Sequence, residues 1–430
     1  MQHREVELLA IGAGPANLAL AVALEELAPE VAATTLIIEK HENVAWQRGM
    51  LLPGSQSQVS FLKDLVTLRN PRSVYSFVNY LHEVGRLDQF INLGSFTPYR
   101  LEISDYLRWV ARSLQLVKIQ YGSECVAVRP RTAADGAVTG WLVTLADGST
   151  VGARDLVIGA GRDAHVPGQF RDLPADRIIH STDFTARAAQ LDRAAPHRFA
   201  VIGGAQSAAE MLWATHQGFP AAQCTMVMRS IGLNGYESSK FTNELFYPSF
   251  VDEFHAARPE ARAQLLREMH RSNYAGLAPA TLDTLYHQMY LERLTGTERL
   301  RMITMAEVTG AALDGDDVVL TLLDRKNGSR QELRCDTVLL GTGFVSRMPR
   351  MIRELATSLG QAEVTVDRWY RMRLPDSVPA GCYLQGVNEA THGIADSLLS
   401  VLAARSGEIV ADLLARRADR HLATVLPLAS

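Results

Sequence analysis

The stretch ELLAIGAGPANLALAVALEEL, residues Glu7–Leu27, decides the fold of the N-terminal part of this chain. A short apolar run ends at Gly12 and Gly14, and an alanine-rich segment with the composition of a helix follows. A second apolar run, Thr34–Glu39, then completes a strand, helix and strand in the order of a β-α-β unit. The stretch therefore predicts the start of a parallel sheet of the kind that binds dinucleotides.

This first glycine motif has the features that a bound dinucleotide requires. Gly12 permits the tight turn, Gly14 lets a pyrophosphate approach the backbone, and the helix N-terminus offers free N–H groups. Glu39 ends the second strand, where a carboxylate can bind a ribose hydroxyl. Pro15 and Asn17 complete the motif, and Asn17 replaces the usual third glycine by a small polar residue that can still pack there. The alternative interpretation is a glycine turn between packed elements, without a ligand.

The same pattern recurs at VIGGAQSAAE, residues Val201–Glu210. Gly203 and Gly204 make the turn between a predicted strand and a predicted helix. Ala205 stands where the second key glycine is expected, so that one methyl group faces the pyrophosphate. The pattern predicts a second dinucleotide site with a modest steric obstacle.

The residues that follow this second turn indicate which dinucleotide it binds. Gln206 and Ser207 open the helix, and the Ser207 hydroxyl can donate to a phosphate. The next strand ends at Arg229 rather than at an acidic residue, which favours the 2′-phosphate of NADP over NAD. A solvated charge at the end of a strand is the alternative for Arg229.

Two such motifs in one chain predict an α/β protein with two Rossmann-like dinucleotide-binding domains, the second inserted into the first. One would bind a flavin and the other a nicotinamide, with hydride passing from the second to the first. We expect residues 1–185 and 335–430 to form the FAD-binding domain. Residues 190–334 would form the NADPH-binding domain, including a mostly helical substrate-binding region at about 234–295.

Composition narrows the class of protein further. The chain has 430 residues, of which 47% are hydrophobic and 21% are charged, and its net charge is -4. Neither a nucleic-acid partner nor a membrane partner is expected from these values. The four cysteines form no C-x-x-C pair, which argues against a dithiol redox site and a zinc ribbon, so no metal is expected and the cytoplasm is the default compartment.

Further motifs point to one family. In order along the chain they are GPANL at Gly14–Leu18, GMLLPGSQSQVSFLKDLVTLRNPRSVYSFVNYL at Gly49–Leu81, FTNELF around Asn243, SNY around Asn273, GTGF at Gly341–Phe344 and THGIADSLLSVLA at Thr391–Ala403. Through these motifs the whole chain resembles the flavin-dependent N-hydroxylating monooxygenases, which are the L-ornithine N5- and L-lysine N6-monooxygenases of siderophore biosynthesis.

The resemblance implies an enzyme that uses FAD, NADPH and O2. Oxygen would add to the reduced flavin as a C4a-hydroperoxyflavin, and a neutral side-chain amine would attack it and become a hydroxylamine. L-ornithine is the first substrate expected, for a hydroxamate siderophore or a related natural product. L-lysine and a diamine such as putrescine or cadaverine follow. Relatives of this kind are commonly tetramers, so a homo-oligomer is expected.

The resemblance also assigns roles to individual residues. Lys63 and Asn243 would hold the amino-acid end of the substrate. Asn273 and Ser400 would lie near the reacting amine, and Gln58 would lie beside the flavin and NADP+; these three are the candidate catalytic residues. The other cofactor contacts that it implies are Trp46, Arg100, Gly343, His392 and Leu399.

Each of these residues also has a structural interpretation. Lys63 could be a solvated charge, the asparagines could be turn or cap residues, and Ser400 could be a core serine. Trp46 could belong to the core, and His392 fits a packing histidine near the flavin better than a base.

Three departures from the family pattern bear on different properties: Ser57 on cofactor motion and the loss of peroxide, Ala205 on NADPH binding, and the loop Asn234–Lys240 on the choice of substrate, which it leaves open. Ser57 replaces a methionine before Gln58, Ala205 replaces a glycine, and the loop Asn234–Lys240 has its own sequence. A flavin oxygenase acting on carbon or sulfur, and a non-catalytic nucleotide-binding protein, are the competing hypotheses.

Overall fold

The computed structural model describes residues 3–134, 136–375 and 378–425, and within them the strands form three sheets. The first sheet consists of β1 (His3–Ile11), β2 (Thr35–Ile38), β3 (Lys118–Gln120), β4 (Cys125–Thr132), β5 (Val138–Leu145), β6 (Thr150–Ile158) and β15 (Cys382–Leu384). Its order is β3-β2-β1-β6-β5-β4, and β15 pairs with the C-terminal half of β6. Strands β1, β2, β3, β6 and β15 run parallel, whereas β4 and β5 form an antiparallel extension.

The second sheet is entirely parallel, in the order β10-β9-β8-β14-β7. Its strands are β7 (Ile178–His180), β8 (Arg198–Ile202), β9 (Gln223–Val227), β10 (Leu300–Ile303) and β14 (Thr337–Leu340). The third sheet is an antiparallel meander of β11 (Ala306–Asp314), β12 (Asp317–Asp324) and β13 (Arg330–Cys335). All strands of the second and third sheets lie in sequence between β6 and β15, so the predicted insertion of one α/β domain into another is confirmed.

The strand pairing differs from the predicted domain limits in two places. Both β7 and β14 fall in the ranges expected for the first domain, yet both belong to the second sheet, where β14 lies between β8 and β7. The physical reason is that the run Thr337–Leu340 is a buried parallel strand ending in glycine. Such a run fits either sheet equally well, so only its tertiary partners decide the assignment.

The helices cover the faces of the parallel sheets and build the region between β9 and β10. They are α1 (Pro15–Leu27), α2 (Pro29–Ala32), α3 (Phe77–Glu83), α4 (Leu87–Leu93), α5 (Arg100–Ser113), α6 (Phe184–Ala188), α7 (Gln206–Gly218), α8 (Lys240–Glu244), α9 (Phe250–Ala256), α10 (Pro259–Asn273), α11 (Pro279–Thr295), α12 (Arg350–Ser358), α13 (Glu389–His392) and α14 (Leu402–Val425). Two 3-10 turns, Ile394–Ser397 and Leu399–Val401, precede α14. Among the described residues, none of the helices has the length and the hydrophobicity of a transmembrane span.

The core explains why α1 is apolar all round. Every residue from Leu18 to Leu24 is buried, because α1 packs under the first sheet and against α14. Proline at the first helical position supports the start of α1, and its missing N–H costs nothing there. The helix is thereby held rigidly with its N-terminus at the glycine turn.

Candidate active site

The first glycine turn has the geometry of a ligand cradle. Gly12 has φ +91°, and a Cβ at this residue would lie 2.9 Å from the carbonyl oxygen of Gly159. Gly14 is the N-cap of α1 in extended conformation, and a Cβ on it would meet nothing within 4 Å. No side chain caps this helix end, so its first N–H groups and the open space beyond Gly14 fit a pyrophosphate.

Glu39 lies directly against this turn. Its Oε2 accepts a hydrogen bond from the backbone N–H of Ala13 at 2.8 Å, and its Oε1 accepts one from His41 at 3.0 Å. The carboxylate is therefore held at the end of β2 beside the cradle, where the predicted ribose contact requires it.

The side chain of Asn17 stabilises the first glycine turn through hydrogen bonds to its backbone. Its Nδ2 donates to the carbonyl oxygens of Ile11 and Gly12 at 2.9 and 2.7 Å, and its Oδ1 accepts from Gln385 at 2.8 Å. The side chain is fully buried. Asparagine in place of the third glycine thus ties the cradle to the segment after β15.

That connection continues as a buried polar network that the sequence did not indicate. Gln385 accepts a hydrogen bond from the Nε of Arg405 at 3.1 Å, and Arg405 forms a 2.8 Å ion pair with Asp396. Both charged side chains are almost completely buried. The network links the glycine turn to the segment that carries Ser400.

The second glycine turn is equally tight. Gly203 has φ +141°, and a Cβ there would come within 2.5 Å of the carbonyl oxygen of Gly341. Ala205 caps α7 in extended conformation. The hydroxyl of Ser207 has no hydrogen-bond partner among the described residues, and the exposed guanidinium of Arg229 forms no ion pair with them. Both groups are therefore free to contact a phosphate.

The side chain of Gln206, by contrast, is used inside the protein. Its Nε2 donates to Glu210 and to Thr281, and its Oε1 accepts from the backbone N–H of Ala278 at 2.9 Å. Gln206 therefore fastens α7 to the start of α11, and only its backbone remains available for a cofactor.

The guanidinium of Arg100 is likewise occupied by a partner within the protein. Its two terminal nitrogens donate to the two carboxylate oxygens of Glu210 at 2.7 and 2.9 Å, and both side chains are buried. Arg100 begins α5 below the first sheet, whereas Glu210 lies on α7 of the inserted domain. The sequence predicted a cofactor contact for Arg100, and its partner Glu210 was missed although it lies within the quoted glycine motif.

Lys63 and Ser400 form the pair that the structure brings together from opposite ends of the chain. The Lys63 Nζ donates to the Oγ of buried Ser400 at 3.4 Å. Lys63 is half-buried, which lowers the pKa of its ammonium, and no carboxylate of the described residues pairs with it. The neighbouring Asp64 does not serve, because it accepts backbone hydrogen bonds from Val66, Thr67 and Phe77.

Among the described residues, none of the other predicted substrate and catalytic residues, Asn243, Asn273 and Gln58, is hydrogen-bonded to Lys63 or Ser400. Asn273 ends α10, and its Nδ2 is buried without a hydrogen-bond partner among the described residues. Asn243 in α8 and Gln58 are exposed, and neither side chain is hydrogen-bonded to Lys63. An orphaned buried donor at Asn273 indicates a ligand or water at that position.

Ser57 has a local explanation in the structure. Its buried Oγ accepts from the backbone N–H of Val59 and donates to the Val59 carbonyl, both at 3.1 Å. The serine that replaces the family's methionine therefore forms a local side-chain–backbone turn just before the segment that carries Lys63.

His392 is packed rather than available for proton transfer. It is fully buried and stacks on Tyr370 with ring centroids 4.2 Å apart. One ring nitrogen is 2.9 Å from the Thr391 hydroxyl and the other is 3.2 Å from the carbonyl oxygen of Arg368. Burial lowers the pKa of His392 to about 4, so the ring is neutral at physiological pH.

The remaining predicted contacts are backbone or packing positions. The indole of half-buried Trp46 packs against the hydrophobic core that includes α1 and part of the first sheet. Leu399 packs there too and lines a small cavity together with Lys63 and Phe61. Gly343 has φ +72° and open space at its Cβ position.

Comparison with known proteins agrees with this geometry. The L-lysine 6-monooxygenase/L-ornithine 5-monooxygenase family matches residues 4–346. An L-ornithine N(5)-oxygenase of Arthrobotrys oligospora is 38% identical over 96% of this chain and 89% of its own length.

Two solved structures are also similar. The ornithine hydroxylase PvdA from Pseudomonas aeruginosa has a TM-score of 0.90 at 36% identity, covering 96% of this chain and 100% of that one. The ornithine N-hydroxylase KtzI from Kutzneria sp. 744, in a complex with reduced FAD, NADP+ and L-ornithine, has a TM-score of 0.88 at 35% identity, covering the same shares.

A glycine turn of the kind that binds a dinucleotide lies in each of the two α/β domains, which is the arrangement of oxidoreductases that use a flavin and a nicotinamide. The match over most of the chain is more specific than the fold. The chain belongs to the L-lysine 6-monooxygenase/L-ornithine 5-monooxygenase family, the flavin-dependent N-hydroxylating monooxygenases.

Proposed function

We propose that this enzyme N-hydroxylates the side-chain amine of L-ornithine, with FAD, NADPH and O2. The observation that carries the proposal is the half-buried ammonium of Lys63, which has no carboxylate partner among the described residues and contacts Ser400 at 3.4 Å. A partly desolvated lysine of this kind suits the carboxylate of an amino-acid substrate. The ornithine enzymes among its relatives support the same substrate.

The two cradles divide the cofactors between them. The turn at Gly12 and Gly14, the N-terminus of α1 and Glu39 would hold FAD in the domain of the first sheet. The turn at Gly203, with Ser207 and Arg229, would hold NADPH in the domain of the second sheet, which includes β7 and β14. Bound FAD, reduced by NADPH, supplies the activation of O2 and the transfer of one oxygen atom to the amine.

The protein's own side chains then bind and orient the substrate. Lys63 neutralises the substrate carboxylate. Ser400, which the family resemblance placed near the reacting amine, lies 3.4 Å from the Lys63 Nζ, and we therefore assign its hydroxyl to the carboxylate end instead. Asn243 is the further candidate for the amino-acid end. Asn273 offers its unpaired amide to the other end of the substrate, and Gln58 lies on the cofactor side.

No strong base is required in this arrangement. The substrate amine must bind neutral, and His392 is sequestered behind Tyr370 with both ring nitrogens occupied. Proton release therefore takes place before or during binding, from the amine to solvent.

A panel of amines tests the proposal. The purified flavoprotein is supplied with NADPH and with L-ornithine, L-lysine, putrescine or cadaverine, and hydroxylamine product is measured rather than NADPH loss. We expect the largest kcat/KM with L-ornithine and little product from the diamines. A protein that neither binds flavin nor forms any hydroxylamine would support the non-catalytic alternative, and a preference for diamines would refute the role of Lys63.

We also propose that the enzyme is a homo-oligomer, a tetramer by family resemblance, in the cytoplasm. Tyr286, Tyr290 and Leu294 form an apolar stripe on α11, with exposed fractions of 64%, 56% and 71%. Such a stripe at helical spacing favours a protein contact. Light scattering should give four times the chain mass, and Leu294→Glu should lower it. The four free cysteines suit a reducing compartment.

A further inference from the structure

Three polar side chains meet where the helical region touches the first domain. The guanidinium of Arg162, just after β6, forms a 2.8 Å ion pair with Glu389 at the start of α13, and both side chains are largely buried. The hydroxyl of Tyr274 donates to Glu389 and accepts from Arg162 at 3.3 Å. We refer to these residues as the Arg162–Glu389–Tyr274 cluster.

The cluster joins the two segments that carry substrate candidates. Tyr274 is the C-cap of α10 and directly follows Asn273. The Tyr274 hydroxyl also lies 3.1 Å from the Oγ of Ser397, three residues before Ser400. The cluster therefore joins the residue that follows Asn273 to the residue three positions before Ser400.

Helix α10 depends on this contact for its position. Of its fifteen residues only Met269 is buried, so apolar packing holds the helix weakly. The polar contacts at its C-terminus are consequently the firm attachment to the first domain. A helix held mainly at one end is displaced when that end is released.

We infer that the Arg162–Glu389–Tyr274 cluster sets the distance between Asn273 and the Lys63–Ser400 pair, and thereby the length of the amine that fits. This inference rests on the proposed function. L-ornithine and L-lysine differ by one methylene, and a binding site distinguishes such a pair only if its two ends are held at a constant spacing. The three residues act through Asn273 and are positioning residues.

Tyr274→Phe and Glu389→Gln test the inference in the holoenzyme. Tyr274→Phe keeps the ring and removes only the hydroxyl. Tyr75→Phe, which likewise removes a hydroxyl that donates to a glutamate, here Glu25 near the end of α1, is the matched control. For each protein we would measure the KM and kcat for L-ornithine, and the inhibition constant of L-lysine against L-ornithine. That constant is measurable whether or not lysine is hydroxylated. FAD content and the rate of flavin reduction by NADPH complete the set.

Both variants should lose selectivity while remaining intact flavoproteins. We expect the ratio of the lysine inhibition constant to the ornithine KM to fall about tenfold, mainly through the ornithine KM. FAD content, flavin reduction and the control should not change. The double variant should match the single variants, because the two residues act as one unit.

Two results would overturn the inference. An unchanged ratio, with or without an equal weakening of both amines, would mean that the cluster only stabilises the fold. A loss of FAD in parallel with the change in ratio would assign the effect to the cofactor site. Failure of the proposed function is seen separately, as a wild-type protein that forms no hydroxylamine from any amine.

Discussion

Arg100 and Glu210 form a buried, bidentate ion pair that connects the two dinucleotide-binding domains, with nitrogen–oxygen distances of 2.7 and 2.9 Å. Arg100 opens α5 beside the first sheet, and Glu210 lies one turn into α7, the helix that follows the second glycine turn. The pair therefore links α5 of the first domain to α7 of the second.

Glu210→Gln should destabilise the protein strongly. Removing one partner leaves a buried guanidinium without its counter-charge, which costs about 3–5 kcal/mol. We expect a lower midpoint of thermal unfolding and slower flavin reduction by NADPH. Glu354→Gln, which breaks the exposed pair with Arg350, is the control and should leave both quantities unchanged. Wild-type stability and reduction in Glu210→Gln would contradict the coupling of the domains.

Lys63→Ala should weaken the use of L-ornithine far more than the reduction of the flavin. A charge-assisted hydrogen bond contributes about 1.5–3 kcal/mol, so kcat/KM should fall about 10- to 150-fold. Lys118→Ala, an exposed lysine at the edge of the first sheet, is the matched control. Any residual activity on putrescine should be unaffected, because a diamine has no carboxylate. Equal losses of flavin reduction and hydroxylation would be evidence against this role.

The pH dependence of hydroxylation should have two limbs. Activity should rise toward alkaline pH as the substrate amine, whose pKa is roughly 10, loses its proton. Burial lowers the pKa of Lys63 below that of an ordinary lysine, so carboxylate binding should weaken again at high pH. The second limb should disappear from the KM profile of Lys63→Ala. An optimum below about pH 6 would contradict the neutral-amine mechanism.

His392 should make the folded state sensitive to acid. Its pKa is about 4 in the folded protein and about 6.5 when unfolded, so the unfolded state binds more protons between these values. The stabilisation is fully present above pH 6.5 and is lost as the pH falls toward 4, by about 3 kcal/mol in all. Unfolding measured across this range should lose that slope in His392→Gln. The exposed His82→Gln should retain it.

Arg229→Ala should remove the preference for NADPH. The guanidinium is exposed and forms no ion pair within the described ranges, as expected of a residue that binds a 2′-phosphate. We expect the KM for NADPH to rise about tenfold or more while the KM for NADH stays constant. Arg350→Ala serves as the control for a general loss of positive charge. An unchanged ratio would mean that Arg229 is a solvated charge.

The local features of the candidate site were predictable from the chain itself. Both glycine turns lie where the motifs place them, each between a strand and a helix. The partners of Arg100, Gln206 and Asn17 were not predictable, because polar side chains give no periodic signal for a partner on another element. The sequence shows Asn17 only as a small polar replacement for glycine, whereas in the structure its side chain links the turn to Gln385.

What the sequence by itself determined are the two dinucleotide cradles and the family, because a glycine turn depends on backbone freedom at Gly12 and Gly203 and on the residues beside them. Only the tertiary structure decided that β14 joins the second sheet, and that Lys63 meets Ser400 across 337 positions of chain. Such contacts arise from packing between distant elements, and any local pattern is compatible with several of them.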